Sequence, residues 1–476
     1  MNFENILPKY ESYLQDESHM KGTAEDIFFP ESIENALEGM KETKTEGKRL
    51  TVQGAKTGLF GGAVPNGGRV INLSHMNKIG EIKIEPSGEA KLYVECGATL
   101  EEIEKLAESQ HLFFPPNPTE ATATIGGMFS TRAAGPNSCF YGNSSKYISS
   151  LDFLTANGEL WHINRGEYVS SNSSIKLPNG RIIDFEGLEK LPFELYVDDM
   201  DLIDFLSGTE GYFGVALAFE IILLPEPSDI WGVVFFFEES SSAIEFAKAL
   251  RNIKVTTAEY FDGATLELIK SRSDNTLLSD IPQLPSEAKA AIYVETEGNS
   301  EEEATAALME LLDAFDACGG KEENTWAESG KSSIKKFRDL RHAVPSILNE
   351  MVEIGSNEGF RWETDFDLSY TSVEGSIDIY EKALSDAQVT GLVYGHILTN
   401  KLYLALTPKT EVEKKKAREL IEQITKKVVA NGGLVVSEHG VGRAKRSIIA
   451  EAINDVQKEK LETIRRAFDE DLMMNP

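Results

Sequence analysis

Cysteine and basic residues are both scarce in this chain of 476 residues. The three cysteines, Cys96, Cys139 and Cys318, lie far apart and form no C-x-x-C pair. This spacing argues against a disulfide framework, an iron–sulfur cluster and a zinc ribbon. Lysine and arginine total 47 against 78 aspartates and glutamates, a net charge of −31. Because nucleic acids and anionic lipids are bound through clustered cations, neither is expected as a partner.

Long apolar runs are missing as well. Residues 1–20 contain charged side chains at Glu4, Lys9, Glu11, Asp16 and Glu17 and no apolar core of the signal-peptide type. No stretch approaches the roughly 18 uninterrupted apolar residues that a membrane span requires. We therefore expect a soluble, cytoplasmic protein in a reducing compartment, without integral membrane association.

Glycine, by contrast, is concentrated in three loops. Residues 53–62 (QGAKTGLFGG) follow a short strand-like run, and their spacing fits neither the G-x-G-x-x-G nor the G-x-x-x-x-G-K-[ST] nucleotide fingerprint. Residues 124–136 (TIGGMFSTRAAGP) and 208–215 (GTEGYFGV) again join small residues to hydroxyls. One such loop is most simply a surface turn. Three of them favour a cradle for one long, phosphate-containing cofactor, because glycine exposes backbone N–H groups to an anion.

Together with FFPPNP at 113–118, SEHGVG at 437–442 and the terminal Asn475-Pro476, these loops make nearly the whole chain resemble a known flavoprotein superfamily. It is the vanillyl-alcohol oxidase and para-cresol methylhydroxylase (PCMH) superfamily. The similarity is strongest to the branch that holds D-lactate dehydrogenases, glycolate oxidase large subunits and D-2-hydroxyglutarate dehydrogenases.

The resemblance implies an α+β fold with three parts. Residues 1–225 would form a two-subdomain PCMH-type FAD-binding domain, residues 226–430 a cap domain with an antiparallel sheet flanked by helices, and residues 431–476 a segment returning to the flavin site. The Pro225-Glu226-Pro227 sequence is the best boundary between the first two parts.

Local patterns predict several elements of this fold. The following elements are expected: a strand over 91–96, a capping box at Thr99 opening a helix, a strand over 215–224, core strands over 231–237 and 291–295, a helix over 301–317, a hairpin joining 392–396 to 402–406, and a helix over 413–430. A short strand over 434–436 would then deliver Ser437, Glu438 and His439 at its tip.

For the cofactor, the family pattern implies non-covalently bound FAD. None of the histidines stands ahead of the first loop in the way that covalent flavin attachment in some relatives would need. The implied contacts are Gln53, Gly54, Lys56, Thr57, Gly58 and Gly61 around the pyrophosphate; Pro116, Thr119, Thr124, Gly126, Gly127, Ser130, Gly135, Glu210, Gly211 and Val215 along the isoalloxazine and adenosine; and Asn475 at the ring. Lys56 stands where relatives usually have glycine, and its ammonium either touches a phosphate or points to solvent.

For catalysis, the resemblance makes His439 the general base. A neutral imidazole would take the substrate hydroxyl proton while the α-hydrogen leaves as hydride to flavin N5. In the segment FRDLRHAVP (337–345), Arg341 is the better match to the family's carboxylate-binding arginine, with Arg338 as the alternative. A second cation of relatives, a lysine, maps onto Arg361 or Asp365, depending on register. If Asp365 holds that place, a dicarboxylic substrate loses a counter-charge.

The divalent metal site of some relatives is incomplete here. Its ligands would be His396, position 403 and Glu438, but position 403 is tyrosine. Catalytic zinc usually takes at least three protein ligands, so we expect zinc or manganese to be weakly bound or absent. Tyr403 would either coordinate as phenolate or donate a hydrogen bond to the substrate. The LTNK segment at 398–401 also departs from the family pattern.

The function that the resemblance implies is FAD-dependent oxidation of a small, D-lactate-like D-2-hydroxy acid. Two alternatives stay open: an FAD-dependent dehydrogenase or oxidase of another alcohol-type substrate, and a non-catalytic flavin-binding subunit of an electron-transfer complex. The electron acceptor is not identified, with an electron-transferring flavoprotein, a quinone, a cytochrome or oxygen as options. A homodimer is compatible with the sequence.

Overall fold

The computed structural model describes residues 3–6, 8–195, 198–355 and 362–474, with the backbone alone for 352–355. Across these ranges, no helix combines the length and the apolar character needed to cross a membrane. The described residues form an α+β fold of two halves, each built around an antiparallel sheet of its own.

The strands in these ranges differ widely in length, and the longest of them, Gly214–Pro225, lies in the first half. They are β1 (Glu4–Asn5), β2 (Asp26–Phe28), β3 (Leu50–Gln53), β4 (Arg69–Asn72), β5 (Lys83–Ile84), β6 (Ala90–Glu95), β7 (Leu112–Phe113), β8 (Ile148–Thr155), β9 (Leu160–Asn164), β10 (Ser174–Lys176), β11 (Ile182–Asp184), β12 (Gly214–Pro225), β13 (Asp229–Phe237), β14 (Thr257–Asp262), β15 (Ala290–Gly298), β16 (Thr325–Ser329), β17 (Gly391–His396) and β18 (Lys401–Leu406).

The longer helices belong to the second half. The helices are α1 (Ile33–Thr45), α2 (Leu100–Glu108), α3 (Ile125–Thr131), α4 (Ser138–Tyr141), α5 (Leu202–Leu206), α6 (Ser240–Leu250), α7 (Gly263–Ser271), α8 (Glu301–Ala317), α9 (Lys331–Gly355), α10 (Val373–Ala387), α11 (Glu411–Ala430), α12 (Gly442–Ala452) and α13 (Asp455–Phe468).

The first half contains two large sheets that differ in strand direction, and β10 and β11 form a separate antiparallel pair. In the described residues, β2, β4 and β3 run parallel with β1 added antiparallel at one edge, and the second sheet has the order β5-β6-β12-β8-β9 with β7 pairing β12. The parallel strand β3 ends at Gln53, where the first glycine loop begins. The central strand β12 begins at Gly214, where the third loop ends. The first and third glycine loops therefore each connect directly to a strand of one of these sheets, and both loops line the same cavity.

The second half is an antiparallel sheet with helices on both faces, and its described strands follow the order β16-β13-β15-β14-β17-β18. Alternate residues of β13 enter different cores, because successive side chains of a strand point to opposite faces. Phe235 packs with one helical layer, which includes α8 and α11, and Phe236 packs with another, which includes α9. Burial on both faces explains the continuous apolar run in this strand.

Most local predictions are confirmed. The Thr99 capping box opens α2, α8 spans 301–317 as expected, and the hairpin of β17 and β18 pairs Tyr394 with Tyr403. In α11, the predicted inner face is buried: Ala417, Leu420, Ile421, Ile424 and Val428. The Val215–Leu224 strand lies within β12, the 91–96 strand appears as β6, and the core strands lie within β13 and β15.

The predicted strand over 434–436 is wrong. Only Leu434 forms a bridge, with Asp367, and the N–H of Val435 donates instead to the carbonyl oxygen of Pro192 at 2.8 Å. The N–H groups of residues 437–439 then donate to the carboxylate of Asp365. These donors are therefore unavailable for a sheet ladder.

The C-terminal helix α13 packs against the first half. The ring of Phe468 lies 4.6 Å from that of Phe213 between centroids, and Phe468 is fully buried. The N–H of Leu50 in β3 donates to the carbonyl oxygen of Met473 at 2.9 Å. Residues 455–474 thus complete the core of the first half after the chain has passed through the second.

Candidate active site

A cavity of about 470 Å³ lies between the two halves. All three glycine loops line it, as do side chains from α9, β17, β18 and the segment that follows α11. The predicted cofactor contacts on its wall are Gly54, Lys56, Thr57, Gly58, Thr119, Thr124, Gly126, Gly127, Ser130, Gly135, Glu210, Gly211 and Val215. Loops separated by more than 150 residues in sequence therefore share one binding space.

Three of the other predicted contacts lie behind this wall. Gln53 is buried, and its Nε2 donates to the carbonyl oxygens of Tyr13 at 2.8 Å and Ala63 at 2.7 Å, which braces both ends of the first loop. Gly61 is buried in a left-handed conformation with φ +78°. Pro116 is buried beside the cavity-lining Pro118. The prediction for Asn475 lies outside the described residues.

Contacts among the loops fix the shape of the cavity. A Cβ at Gly54 would lie 2.3 Å from Oγ1 of Thr124, so the first and second loops touch where glycine alone fits. Thr124 caps α3 by accepting the N–H of Gly127 at 3.2 Å. In the third loop, the half-buried Glu210 accepts the N–H of Val441 at 2.8 Å, which ties this loop to the segment that carries His439.

His439 lies at one end of the cavity, between two aromatic rings. Its ring centre is 6.1 Å from that of Phe60 and 5.3 Å from that of Tyr403. Burial lowers the pKa of His439, although the nearby carboxylate of Asp365 opposes that shift. The imidazole is therefore neutral near pH 7. Nδ1 of His439 and the hydroxyl of Tyr403 are buried polar atoms without a hydrogen-bond partner among the described residues.

Arg341 projects from α9 into the same end of the cavity. Its Nε donates to Glu259 at 3.1 Å and its Nη1 donates to Thr119, which leaves Nη2 without a partner in the described ranges. Arg338, one turn earlier, donates to both carboxylate oxygens of Glu295, at 2.8 and 2.6 Å, and is absent from the cavity lining. Of the two candidate arginines, Arg341 is the one that faces the cavity.

Two family models match the chain and together span most of it. Residues 24–164 match the FAD binding domain, and residues 226–476 match the C-terminal domain of FAD linked oxidases. The second match covers more than half of the chain. This protein belongs to the FAD-linked oxidases. It is therefore an FAD-dependent oxidoreductase, and the match to the FAD binding domain includes the first two glycine loops.

Named relatives agree with this assignment, and a solved structure shares the fold. This FAD-linked oxidase is 23% identical over 504 residues to D-lactate dehydrogenase of Anaerostipes hadrus, covering 100% of this chain and 95% of the relative. It is 23% identical over 435 residues to glycolate oxidase subunit GlcD of Bacillus subtilis, covering 90% and 83%. Its fold matches substrate-bound p-cresol methylhydroxylase with a TM-score of 0.72 at 14% identity, covering 99% of this chain and 92% of that one.

Substitution of Gly135, in the second glycine loop of the FAD-linked oxidase, tests whether this loop binds the flavin. Gly135 has φ +85°, and a Cβ there would lie 2.0 Å from the carbonyl oxygen of Asn117. Left-handed strain and the backbone clash each cost about 1–3 kcal/mol. We expect Gly135→Ala to weaken FAD binding at least about tenfold, measured by flavin fluorescence titration of the apoprotein.

Gly142 is the matched control for this substitution. It has φ +82°, but its added Cβ would meet only Cδ of Lys146 at 3.4 Å, so Gly142→Ala introduces strain at positive φ without the backbone clash. We expect it to retain FAD. Equal FAD affinity in the two variants would contradict a cradle shaped by close backbone approach.

The residues at the expected metal position of the FAD-linked oxidase do not form a metal shell. Both ring nitrogens of His396 contact carboxylates, Nδ1 that of Glu259 and Nε2 that of Glu438, the latter at 3.1 Å. Burial disfavours the charged imidazole, but these two carboxylates outweigh it and raise the pKa of His396 to about 9. Glu438 also contacts Lys401 Nζ at 3.4 Å. A charged imidazole and an ammonium already occupy the carboxylate oxygens that a metal would need.

Tyr403 does not complete such a shell. Burial raises the pKa of its phenol well above the ordinary value, which favours the neutral hydroxyl over a metal-binding phenolate. No group of three or more histidines, cysteines, aspartates or glutamates in the described part of the chain is arranged to hold an ion.

We therefore expect the purified FAD-linked oxidase to hold zinc and manganese below one equivalent per chain. Dialysis against EDTA should leave the rate of flavin reduction by substrate unchanged. Metal analysis by plasma mass spectrometry, paired with stopped-flow absorbance before and after dialysis, checks both statements. A stoichiometric metal whose removal slows flavin reduction would contradict this arrangement.

The cavity lining includes Glu363 and Tyr394, which the sequence did not single out as site residues. Tyr394 donates its hydroxyl to Glu363, and both side chains are buried. Tyr394 faces Tyr403 across the hairpin, so the predicted pairing of the two strands could have revealed it. Asp365, offered as the counterpart of the family lysine, is absent from the cavity lining, and Arg361 lies outside the described residues.

Proposed function

We propose that this protein oxidises a small D-2-hydroxy acid, of about the size of D-lactate, to the 2-oxo acid. The observation that carries the proposal is the convergence of Arg341, Tyr403 and His439 at one end of a cavity whose remaining wall is the flavin cradle. The names of the relatives, D-lactate dehydrogenase and glycolate oxidase subunit, support the same class of substrate.

Each of these side chains has a separate task. The guanidinium of Arg341 binds the substrate carboxylate through Nη2, which has no hydrogen-bond partner in the described ranges, and Glu259 holds the group in place. The neutral imidazole of His439 accepts the proton of the substrate hydroxyl as its carbon–oxygen bond becomes a carbonyl. Tyr403 donates a hydrogen bond to the substrate from its buried hydroxyl. Bound FAD supplies the acceptor for the α-hydrogen, which leaves as hydride.

The charges around this end of the cavity favour a monocarboxylate. Arg341 is the single arginine that lines the cavity in the described ranges, and Glu363 lines it as well. A second substrate carboxylate would therefore meet no second arginine on the described part of the cavity wall. We accordingly propose that D-lactate or D-2-hydroxybutyrate is preferred over D-2-hydroxyglutarate.

An anaerobic titration tests this function. The FAD-loaded protein is mixed separately with D-lactate, L-lactate, glycolate, D-2-hydroxybutyrate and D-2-hydroxyglutarate while the flavin absorbance is followed. Fast bleaching by the small D-acids, with slower bleaching by the dicarboxylate, is the expected result. Bleaching by L-lactate alone would refute the stereochemistry. No bleaching by any of them would shift the assignment to another alcohol substrate or to a non-catalytic flavoprotein.

A further inference from the structure

Asp365 is a fully buried carboxylate directly beneath the tip that carries His439. It accepts three consecutive backbone N–H groups: those of Ser437 at 3.2 Å, Glu438 at 3.2 Å and His439 at 3.1 Å. It also accepts the hydroxyl of Ser437 at 2.6 Å. No strand holds this segment, so the carboxylate supplies the acceptors that a sheet neighbour would otherwise provide.

Lys445, on the first turns of α12, balances the charge of Asp365. Its Nζ donates to Oδ2 of Asp365 at 2.9 Å and to the carbonyl oxygen of Gly440 at 3.0 Å. The same ammonium lies 3.8 Å from the ring centre of Phe60, which belongs to the first glycine loop. Asp365 and Lys445 thus connect both sides of His439 to the flavin cradle.

The ring of His439 is also close to this carboxylate. Its Nδ1 lies 3.7 Å from Oδ1 of Asp365, so the carboxylate that holds the backbone also borders the imidazole. A single side chain therefore controls the position of the main chain and restricts the movement of the ring. Displacing a catalytic group by 1 Å can cost about 100-fold in rate.

We propose that Asp365 is a positioning residue, which fixes the imidazole of His439 over the flavin cradle by gathering the N–H groups of residues 437–439. This inference rests on the proposed role of His439 and adds to it a residue that contacts neither substrate nor flavin. Both carboxylate oxygens are needed, because three N–H groups and one ammonium converge on them. An asparagine offers one acceptor oxygen and turns an N–H₂ group toward these donors.

The test compares Asp365→Asn with Asp367→Asn. Asp367 lies two residues away, is less buried and accepts the N–H of Ser369 at 2.8 Å, so it controls for charge loss in the same segment. With FAD bound, we expect Asp365→Asn to lower the rate constant of flavin reduction by up to about 100-fold. The substrate Kd should change little, because Arg341 projects from a different element. Asp367→Asn should match the wild type in both quantities.

A second variant separates positioning from loss of the fold. Asp365→Asn leaves Lys445 buried without its partner, so the double variant Asp365→Asn/Lys445→Met removes both charges together. We expect the double variant to regain FAD content and thermal stability while flavin reduction stays slow. A return of the double variant to the wild-type rate would overturn the proposal. The proposal would also fail if the slower rate of Asp365→Asn were fully explained by its loss of bound FAD.

Hydrogen exchange gives a readout that does not require turnover. Mass spectrometry of the FAD-loaded protein should show faster amide exchange at residues 437–439 in Asp365→Asn than in Asp367→Asn. Unchanged exchange there would refute the anchoring role. If no D-2-hydroxy acid reduces the wild-type flavin, the proposed function fails, while the exchange measurement still decides whether Asp365 holds the tip.

Discussion

Replacement of His439 with alanine is expected to slow flavin reduction by a D-2-hydroxy acid by up to about 10,000-fold, the upper range for loss of a general base. FAD should remain bound, because the cradle is formed mainly by the three glycine loops. Stopped-flow absorbance under anaerobic conditions measures the rate constant, and the flavin-to-protein absorbance ratio reports FAD content.

His342→Ala is the comparison for this variant. His342 also lines the cavity, beside Arg341, and burial lowers its pKa as well, so it is the other neutral imidazole in reach. Its loss should cost far less. If His342→Ala were the slower variant, or if His439→Ala reduced its flavin at the wild-type rate, the assigned base would be wrong.

The pH dependence of the wild type gives an independent check on His439. Because burial lowers its pKa, the imidazole stays neutral and competent below the ordinary value of about 6.5. Flavin reduction should therefore be constant around neutral pH and fall only as the pH passes down through the lowered pKa. His439→Ala should lose this acidic limb.

Replacement of Arg341 with glutamine is expected to reduce the second-order rate constant of flavin reduction on the order of 1,000-fold. Removing one partner of a buried charge pair costs roughly 2–5 kcal/mol, and this change removes the cation for the substrate carboxylate and leaves His396 as the charged partner of Glu259. Most of the loss should appear as a raised substrate Kd. The dependence of the reduction rate on substrate concentration separates Kd from the limiting rate.

Two lysine variants sharpen this test. Arg341→Lys keeps the charge but loses the planar fork, so it should lie between the wild type and the glutamine variant. Arg338→Lys makes the same chemical change on the same helix, at a side chain that pairs with Glu295 outside the cavity. It should leave the substrate Kd unchanged. Similar losses in both lysine variants would point to damage of α9 rather than to lost carboxylate binding.

Much of this arrangement was predictable because its signals are local. The glycine loops, the Thr99 capping box and the apolar face of α11 each occupy one short stretch of sequence. The pairing of Tyr394 with Tyr403 follows from the length of one hairpin. Such features depend on backbone geometry and periodicity, which neighbouring residues determine.

The charge partners of the site were not predictable in the same way. His396 meets Glu259 across 137 positions, and Lys445 meets Asp365 across 80. The sequence around Asp365 does not show whether its carboxylate is buried or faces the substrate. Only the fold brings Lys445 and the N–H groups of residues 437–439 to this carboxylate. The wrong strand at 434–436 has a similar cause, since the N–H of Val435 donates to the carbonyl oxygen of Pro192, a residue far away in sequence.

The return of α13 to the first half affects the order in which the protein can mature. Phe468 fills the space beside Phe213, and Met473 bonds to the strand that leads into the first glycine loop. During synthesis, the first half therefore leaves the ribosome before the residues that complete its core. The second half must follow before residues 455–474 can pack against the first. Contacts between such distant segments fold slowly. We therefore expect stable capture of FAD to follow the synthesis of residues 455–474.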